Sequence, residues 1–208
     1  MEDLIIIGAG GLGSEVAWLA ETTGEYKVLG FLDDNLEINS KFHQYDVLGK
    51  VTDASKFSNC SFAIAVGSPR TRKLIYNKLK ENKIQKFPNI ISKRATLSNT
   101  VSLGEGNIIC EGTIITTNIS IGDFNLINLN CTVGHDSIIK NFTTVAPIAA
   151  ISGNVTLEDL TEVGTGACIR QGITLHQGSM LGMGSVLTKD IPEETIFIGS
   201  PAKFFKSF

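Results

Sequence analysis

Aromatic and charged side chains are scarce over one long stretch of this chain. Of 15 aromatic and 39 charged residues in the 208-residue sequence, only Phe124, Phe142 and nine charges fall between Leu97 and Leu187, a window of 91 residues. The composition changes near residue 92, which predicts two structurally different parts. No apolar run approaches the ~20 residues a helix needs to cross a bilayer. Met1-Glu2-Asp3 ahead of Leu4 to Ile7 is too acidic and too short for a secretory signal, so a cytoplasmic protein without a membrane partner is expected. A net charge of -3 leaves no positive footprint for nucleic acid. The four cysteines (Cys60, Cys110, Cys131, Cys168) form no CxxC and have no histidine pair nearby, so neither a metal site nor a disulfide framework is expected. Reduced thiols fit a cytoplasmic setting.

What the poor window does contain is a repeat. Steps of six from Leu97 meet Leu103, Ile109, Ile115, Ile121, Ile127, Val133, Ile139, Val145, Ile151, Leu157, Val163, Ile169, Leu175, Leu181 and Leu187, every one Leu, Ile or Val. Those types fill 28 of the 91 positions, so chance agreement is on the order of one in a hundred million. Four places after each register residue, small or short polar residues dominate, such as Thr113, Cys131, Ser137, Thr143, Ala149 and Ser185. A period of six suits neither a helix nor an alternating strand. It suits a coil with three flat sides per turn, in which residues 18 apart stack at about 4.8 Å and aliphatic columns fill an interior too narrow for aromatics. The repeat carries no insertion, so the coil has little of its own with which to hold a large substrate.

The first part reads as an α/β half-Rossmann domain with a short parallel sheet. Leu4 to Ile7 predicts a strand that ends in Gly8-Ala9-Gly10-Gly11-Leu12-Gly13 and is followed by a helix to about Ala20. A second apolar run, Lys27 to Leu32, ends in Asp33-Asp34, and a third, Phe62 to Val66, ends in Gly67-Ser68 before a helix over 70–81. Gly10 to Leu12, Asp33, Asp34 and Gly67 should converge at the carboxyl edge of the sheet. A full dinucleotide fold needs two such halves. Barely 90 residues precede the coil, room for one mononucleotide-sized site and not for NAD.

There are three histidines. His43 lies in a polar stretch read as a loop, and His176 follows a register residue as a surface position. His135, in Gly134-His135-Asp136 near a coil corner, has Thr117 and Gly153 stacked 18 residues before and after it. A neighbouring carboxylate orients an imidazole and raises its basicity, so the pair suits a general base. An ordinary surface His-Asp pair reads the same way from residues alone.

The Gly-rich start, Phe31-Leu32-Asp33-Asp34, Ala65-Val66-Gly67, Gly134-His135-Asp136, Gly182-Met183-Gly184-Ser185, Lys189-Asp190-Ile191-Pro192 and Gly199-Ser200-Pro201-Ala202-Lys203 occur in an order that spans the chain. In this order the sequence resembles the bacterial nucleotide-sugar acetyltransferases of the hexapeptide-repeat superfamily, which include bacillosamine- and perosamine-type N-acetyltransferases and sialic acid O-acetyltransferases. The resemblance implies a left-handed parallel β-helix over 92–192, a nucleotide-sugar-binding domain over 1–91, and a C-terminal strand (Thr195 to Ile198) with a short helix over 193–208. It implies a homotrimer with active sites between subunits and acetyl-CoA as co-substrate. By it, Gly10, Gly11, Leu12, Asp33, Asp34 and Gly67 hold the nucleotide-linked amino sugar, and Thr144, Thr165 and Met183 meet acetyl-CoA. His135 becomes the base and Asp136 its partner, in direct transfer to a 4-amino group without a cysteine intermediate. The chain departs from many relatives in having Leu12 for a histidine, Thr144 for a second histidine, Met183 for a glycine and Asp136 for a glutamate. Alternatives to N-acetylation are O-acetylation of a sialic-acid-type sugar, a nucleotide-sugar-binding module without catalysis, and a structural spacer. The spacer leaves the glycine loop unexplained.

Overall fold

The computed structural model describes residues 1–208, which divide into two compact units, Met1–Ser92 and Lys93–Phe208. In the first, β1 (Glu2–Ile7), β2 (Tyr26–Leu32), β3 (Lys41–Phe42), β4 (Tyr45–Gly49) and β5 (Ser61–Ile64) form one sheet of order β3-β4-β2-β1-β5. β1 lies parallel to β2 and β5, and β2 parallel to β4, while β3 and β4 pair antiparallel as a small edge hairpin. Leu4 to Ile7 are fully buried, as an apolar run in the middle of a parallel sheet must be.

Helix α1 (Gly11–Thr23) buries Val16, Ala17, Leu19 and Ala20 and ends at Gly24 in the left-handed conformation. Gly13 is required by packing: a Cβ there would run into the Gly8 carbonyl oxygen and approach the Phe31 ring, so the helix could not sit against the strands. Helix α2 (Pro69–Glu81) starts with Ser68, whose hydroxyl accepts from the Thr71 N–H at 3.4 Å, and has Pro69 in its first turn.

The second unit is a left-handed parallel β-helix. Each of the sixteen register residues is the second residue of a two-residue strand, from Thr96–Leu97 to Val186–Leu187. Strands 18 residues apart pair in parallel, as Ile114–Ile115 does with Thr132–Val133, and the three ladders enclose the core. From Ile109 onward every register residue is at most 3% exposed, and the small residues four places later form a second buried column that includes Thr113, Cys131, Thr143 and Ser185.

One further feature of the repeat follows from the backbone. From Leu103 to Leu181, the residue three places after each register position adopts positive φ, whether glycine (Gly106, Gly166) or not (Asn118, Asp136, Leu160). Glycine, Asn and Asp tolerate that conformation best, so the corner is where the chain turns at least cost. Phe124 and Phe142 occupy two such corners with their rings stacked 5.3 Å apart at 8°, outside the aliphatic columns.

The C-terminal segment corrects one expectation. Thr195–Gly199 forms a strand parallel to Met180–Leu181, but Ala202–Ser207 is a second strand, antiparallel to it, and not a helix. The edge of the ladder offers open hydrogen-bonding groups, and Gly199 at φ +99° lets the chain reverse and satisfy them. Phe204 and Phe205 also favour extended backbone.

Candidate active site

The carboxyl ends of β1, β2 and β5 open into two adjoining concavities of the N-terminal unit. One, of about 410 Å³, is lined by Gly8 to Leu12, Asp33, Asn35, Leu36, Ala65 and Val66. The other, of about 600 Å³, shares Gly8, Asp33, Asn35 and Val66 and adds Asp34, Val51 and the α2 face containing Thr71, Leu74, Ile75 and Lys78. The glycines divide their work. Gly8 holds φ +101°, Gly13 admits the helix, and Gly10 and Gly11 have nothing within 4 Å of a would-be Cβ, which leaves open space over the α1 N-terminus. Free N–H groups at that end suit a phosphate.

The two acidic residues act on the loops that shape these concavities. Asp33 Oδ2 accepts the Ala9 N–H at 2.8 Å while Oδ1 accepts the Asn35 N–H at 2.8 Å, so its carboxylate ties the glycine loop to the loop after β2. Asp34 Oδ1 accepts the Val51 N–H at 2.9 Å, and its other oxygen lies 3.7 Å from Lys78 Nζ on α2. Gly67 is close to Leu12, whose Cδ2 would be 4.0 Å from a Cβ at Gly67. Gly10, Gly11, Leu12, Asp33, Asp34 and Gly67 are therefore brought to one sheet edge.

Sequence patterning did not single out the α2 wall or Arg72. The wall comes from positions 71, 74, 75 and 78, and its one signal is Leu74, left 63% exposed on a helix otherwise rich in charge. Arg72 is 2% exposed and donates from Nη1 to the carbonyls of Val66 (2.7 Å) and Gly67 (3.1 Å), which fixes the loop after β5.

His135 and Asp136 stand at a corner of the β-helix. The Asp136 N–H donates to the Thr117 carbonyl at 3.1 Å and the His135 carbonyl accepts from the Asn154 N–H at 2.7 Å, so the corner is tied to the turns before and after it. His135 Nδ1 lies 2.8 Å from Asp136 Oδ2, and the Asn118 amide donates to Asp136 Oδ1 at 3.3 Å. The hydrogen bond with His135 first, then that from Asn118, holds the Asp136 carboxyl below the usual carboxylate range. An ionised carboxylate accepts only, so in the neutral imidazole Nδ1 carries the proton and Nε2 the lone pair. Both side chains are about half exposed, at 55% and 54%, so Nε2 is open to a ligand.

Of the three positions expected at acetyl-CoA, Thr165 and Met183 stand exposed and stacked at one corner, where Gly164 permits the close approach of the Met183 backbone. Thr144 is buried at the start of a strand and does not join them. His176 lies 3.4 Å from Glu158, which also binds Lys140 at 2.8 Å, a surface ion-pair cluster. His43 sits in the β3–β4 turn. All four cysteines are free, and burial pushes the Cys131 thiol up to about 11, which leaves it protonated and unreactive.

The chain is similar over 98% of its length, and 99% of the other's, to the acetyltransferase domain of PglB from Neisseria gonorrhoeae solved with acetyl coenzyme A, at 31% identity and a TM-score of 0.90. It belongs to the hexapeptide-repeat nucleotide-sugar acetyltransferases. Membership of this acetyltransferase family makes the protein an acetyl-CoA-dependent enzyme. Residues 3–79 match the family described as the PglD N-terminal domain. Perosamine N-acetyltransferase from Caulobacter crescentus, solved as a His-to-Asn variant with CoA and GDP-perosamine, matches at 26% identity and a TM-score of 0.91 over 100% of this chain and 98% of that one. WeeI from Acinetobacter baumannii matches at 28% and 0.88 over 99% of this chain and 100% of that one. No curated protein sequence matches. The structural matches support an acetyltransferase of nucleotide-linked amino sugars. No helix is long and apolar enough to cross a membrane.

Proposed function

We propose that this acetyltransferase moves the acetyl group of acetyl-CoA to the 4-amino group of a nucleotide-linked 4-amino-6-deoxy sugar, for surface-glycan biosynthesis. The observation that carries the mechanism is the 2.8 Å contact between His135 Nδ1 and Asp136, which leaves Nε2 as an exposed base. The sugar amine attacks the thioester carbonyl, a C–N bond forms and the C–S bond breaks. The proton lost by nitrogen passes to His135 Nε2 and from there to the departing CoA sulfur. Asp136 holds the ring in its tautomer and offsets the imidazolium charge as it develops. The nucleotide seats at the glycine loop, with Gly10, Gly11 and Leu12 lining one side and Asp33, Asp34 and Gly67 bracing its surroundings. Thr165 and Met183 border the path of acetyl-CoA, Met183 through its backbone. The active unit is a homotrimer, and the cytoplasm is its place of action.

The test is thiol release from acetyl-CoA with a panel of UDP-, GDP- and dTDP-linked 4-amino sugars, with free sialic acid alongside. Turnover with an amino sugar, lost in His135→Ala, is the expected result. Turnover with sialic acid alone, or full turnover of His135→Ala, overturns the assignment. Light scattering reads the trimer.

A further inference from the structure

Helix α1 and the β3–β4 turn enclose another concavity of the N-terminal unit, of about 320 Å³, lined by Ser14, Trp18, Glu21, His43, Gln44 and Tyr45. None of these residues borders the two concavities at the carboxyl edge of the sheet. Ser14, Trp18 and Glu21 fall on one face of α1 at successive turns, and His43 to Tyr45 face them from the hairpin.

Three features of this place lack a structural reason. Trp18, the only tryptophan of the chain, leaves its indole 50% exposed. The Ser14 hydroxyl is shut off from solvent and has no hydrogen-bond partner, an arrangement that native folds seldom leave unfilled. His43 is held at φ +54°, where a β-hairpin would more readily place glycine or asparagine. Tyr45 completes the wall. Burial first, then its hydrogen bond with Glu21, pushes its hydroxyl up to about 12, so it remains a neutral donor and orients the carboxylate beside it.

The lining selects its ligand by chemistry. No lysine or arginine borders the concavity, so a phosphate or carboxylate finds no counter-charge. A compact cation has donors only and would leave the indole N–H unmatched. A polyhydroxylated ring has donors and acceptors around its rim and an apolar C–H face for the indole plane. The volume is at the small end of ligand sites, suited to one ring rather than a nucleotide. We propose that this concavity binds one uncharged pyranose unit, stacked on Trp18 and hydrogen-bonded by Glu21, Gln44 and His43. It is distinct from the two concavities at the carboxyl edge of the sheet and would bind the ring whether or not the 4-amino sugar is the acceptor.

Because Trp18 is the sole tryptophan, selectively excited tryptophan fluorescence reports on this place alone. The intact protein is titrated with methyl glycopyranosides of glucose, galactose and N-acetylglucosamine, with and without saturating UDP and GDP, and with tetramethylammonium. The expected result is a saturable emission change with at least one glycoside, unaltered by the nucleotides and absent with tetramethylammonium. Gln44→Ala weakens it by about tenfold, a loss of one well-placed polar contact. Trp18→Ala, checked for folding by circular dichroism, loses the saturation-transfer NMR signal of the glycoside and keeps its acetyltransferase activity. A response to tetramethylammonium instead, competition by the nucleotides, or no saturable response to any glycoside overturns the proposal.

Discussion

The imidazole of His135 rests over Gly153, the residue 18 places further along the coil: a Cβ on Gly153 would stand 2.5 Å from Nε2 and 2.6 Å from Cε1. The ring therefore owes its position to two things, the Asp136 carboxylate on one nitrogen and the missing side chain beneath the other. This is a corner of the repeat where a glycine stacks against a histidine.

Gly153→Ala tests that contact. Gly153 has no positive φ, so alanine fits its backbone, and the obstacle it meets is the end of a mobile side chain rather than another backbone. The ring swings aside and the fold is retained. We expect kcat to fall by about 100-fold, the scale of a reacting group misplaced by about 1 Å, with an unchanged melting temperature and little change in KM for acetyl-CoA. Steady-state kinetics beside a thermal scan decide it.

Asp136→Asn separates charge from shape. Asparagine tolerates the φ of +60° as well as aspartate does, so the corner survives. The amide can present its N–H to Nδ1 and move the imidazole proton to Nε2, where it blocks the base. Activity should fall by about 100-fold or more, within the range of general-base contributions. An unchanged kcat would remove Asp136 from the mechanism.

Acid titration of Asp136 has a definite sign. Its folded-state pKa is lowered by His135 and then by Asn118, so the stabilisation from these contacts is present above the unfolded carboxylate value and is lost as pH falls through the lower folded value. Asn118→Ala removes one donor and should move the Asp136 titration upward, toward the ordinary carboxylate range. Carbon-detected NMR of the labelled carboxyl follows both proteins.

Asp33→Asn tests the brace on the glycine loop. One of its two oxygens becomes an N–H₂ group facing the N–H of either Ala9 or Asn35, and the loop loses an acceptor. Nucleotide affinity should weaken by about tenfold, the size of one charge-assisted hydrogen bond, while acetyl-CoA affinity is unchanged. Calorimetry with each ligand separates the two.

Interior packing of the coil predicts a graded pair. Ile139 is 1% exposed in its aliphatic column. Ile139→Val should cost about 0.5–1.5 kcal/mol and Ile139→Ala about 2–5 kcal/mol, because neighbours anchored in parallel ladders cannot collapse into the space. Denaturant unfolding of the three proteins measures the series.

The β-helix was legible in the residues because its period is strict: each aliphatic residue at a step of six must enter an interior only wide enough for one per strand, so a misplaced polar group would be buried without a partner. The first strands and the glycine loop were legible for a similar reason, since buried parallel strands read as apolar runs and Gly13 marks a contact that no side chain permits. Local pattern stops at contacts made across turns. Ala202–Ser207 became a strand because an open ladder edge lay beside it, and Phe124 stacks on Phe142 because 18 residues of chain return to the same corner one turn along. The contact of His135 Nδ1 with Asp136, the α2 wall of the larger concavity and the missing side chain beneath the imidazole likewise depend on which residues meet. Periodicity specifies which side chains go inside; the coordinates of the turns specify which outside groups come within 3 Å of each other, and catalysis depends on the latter.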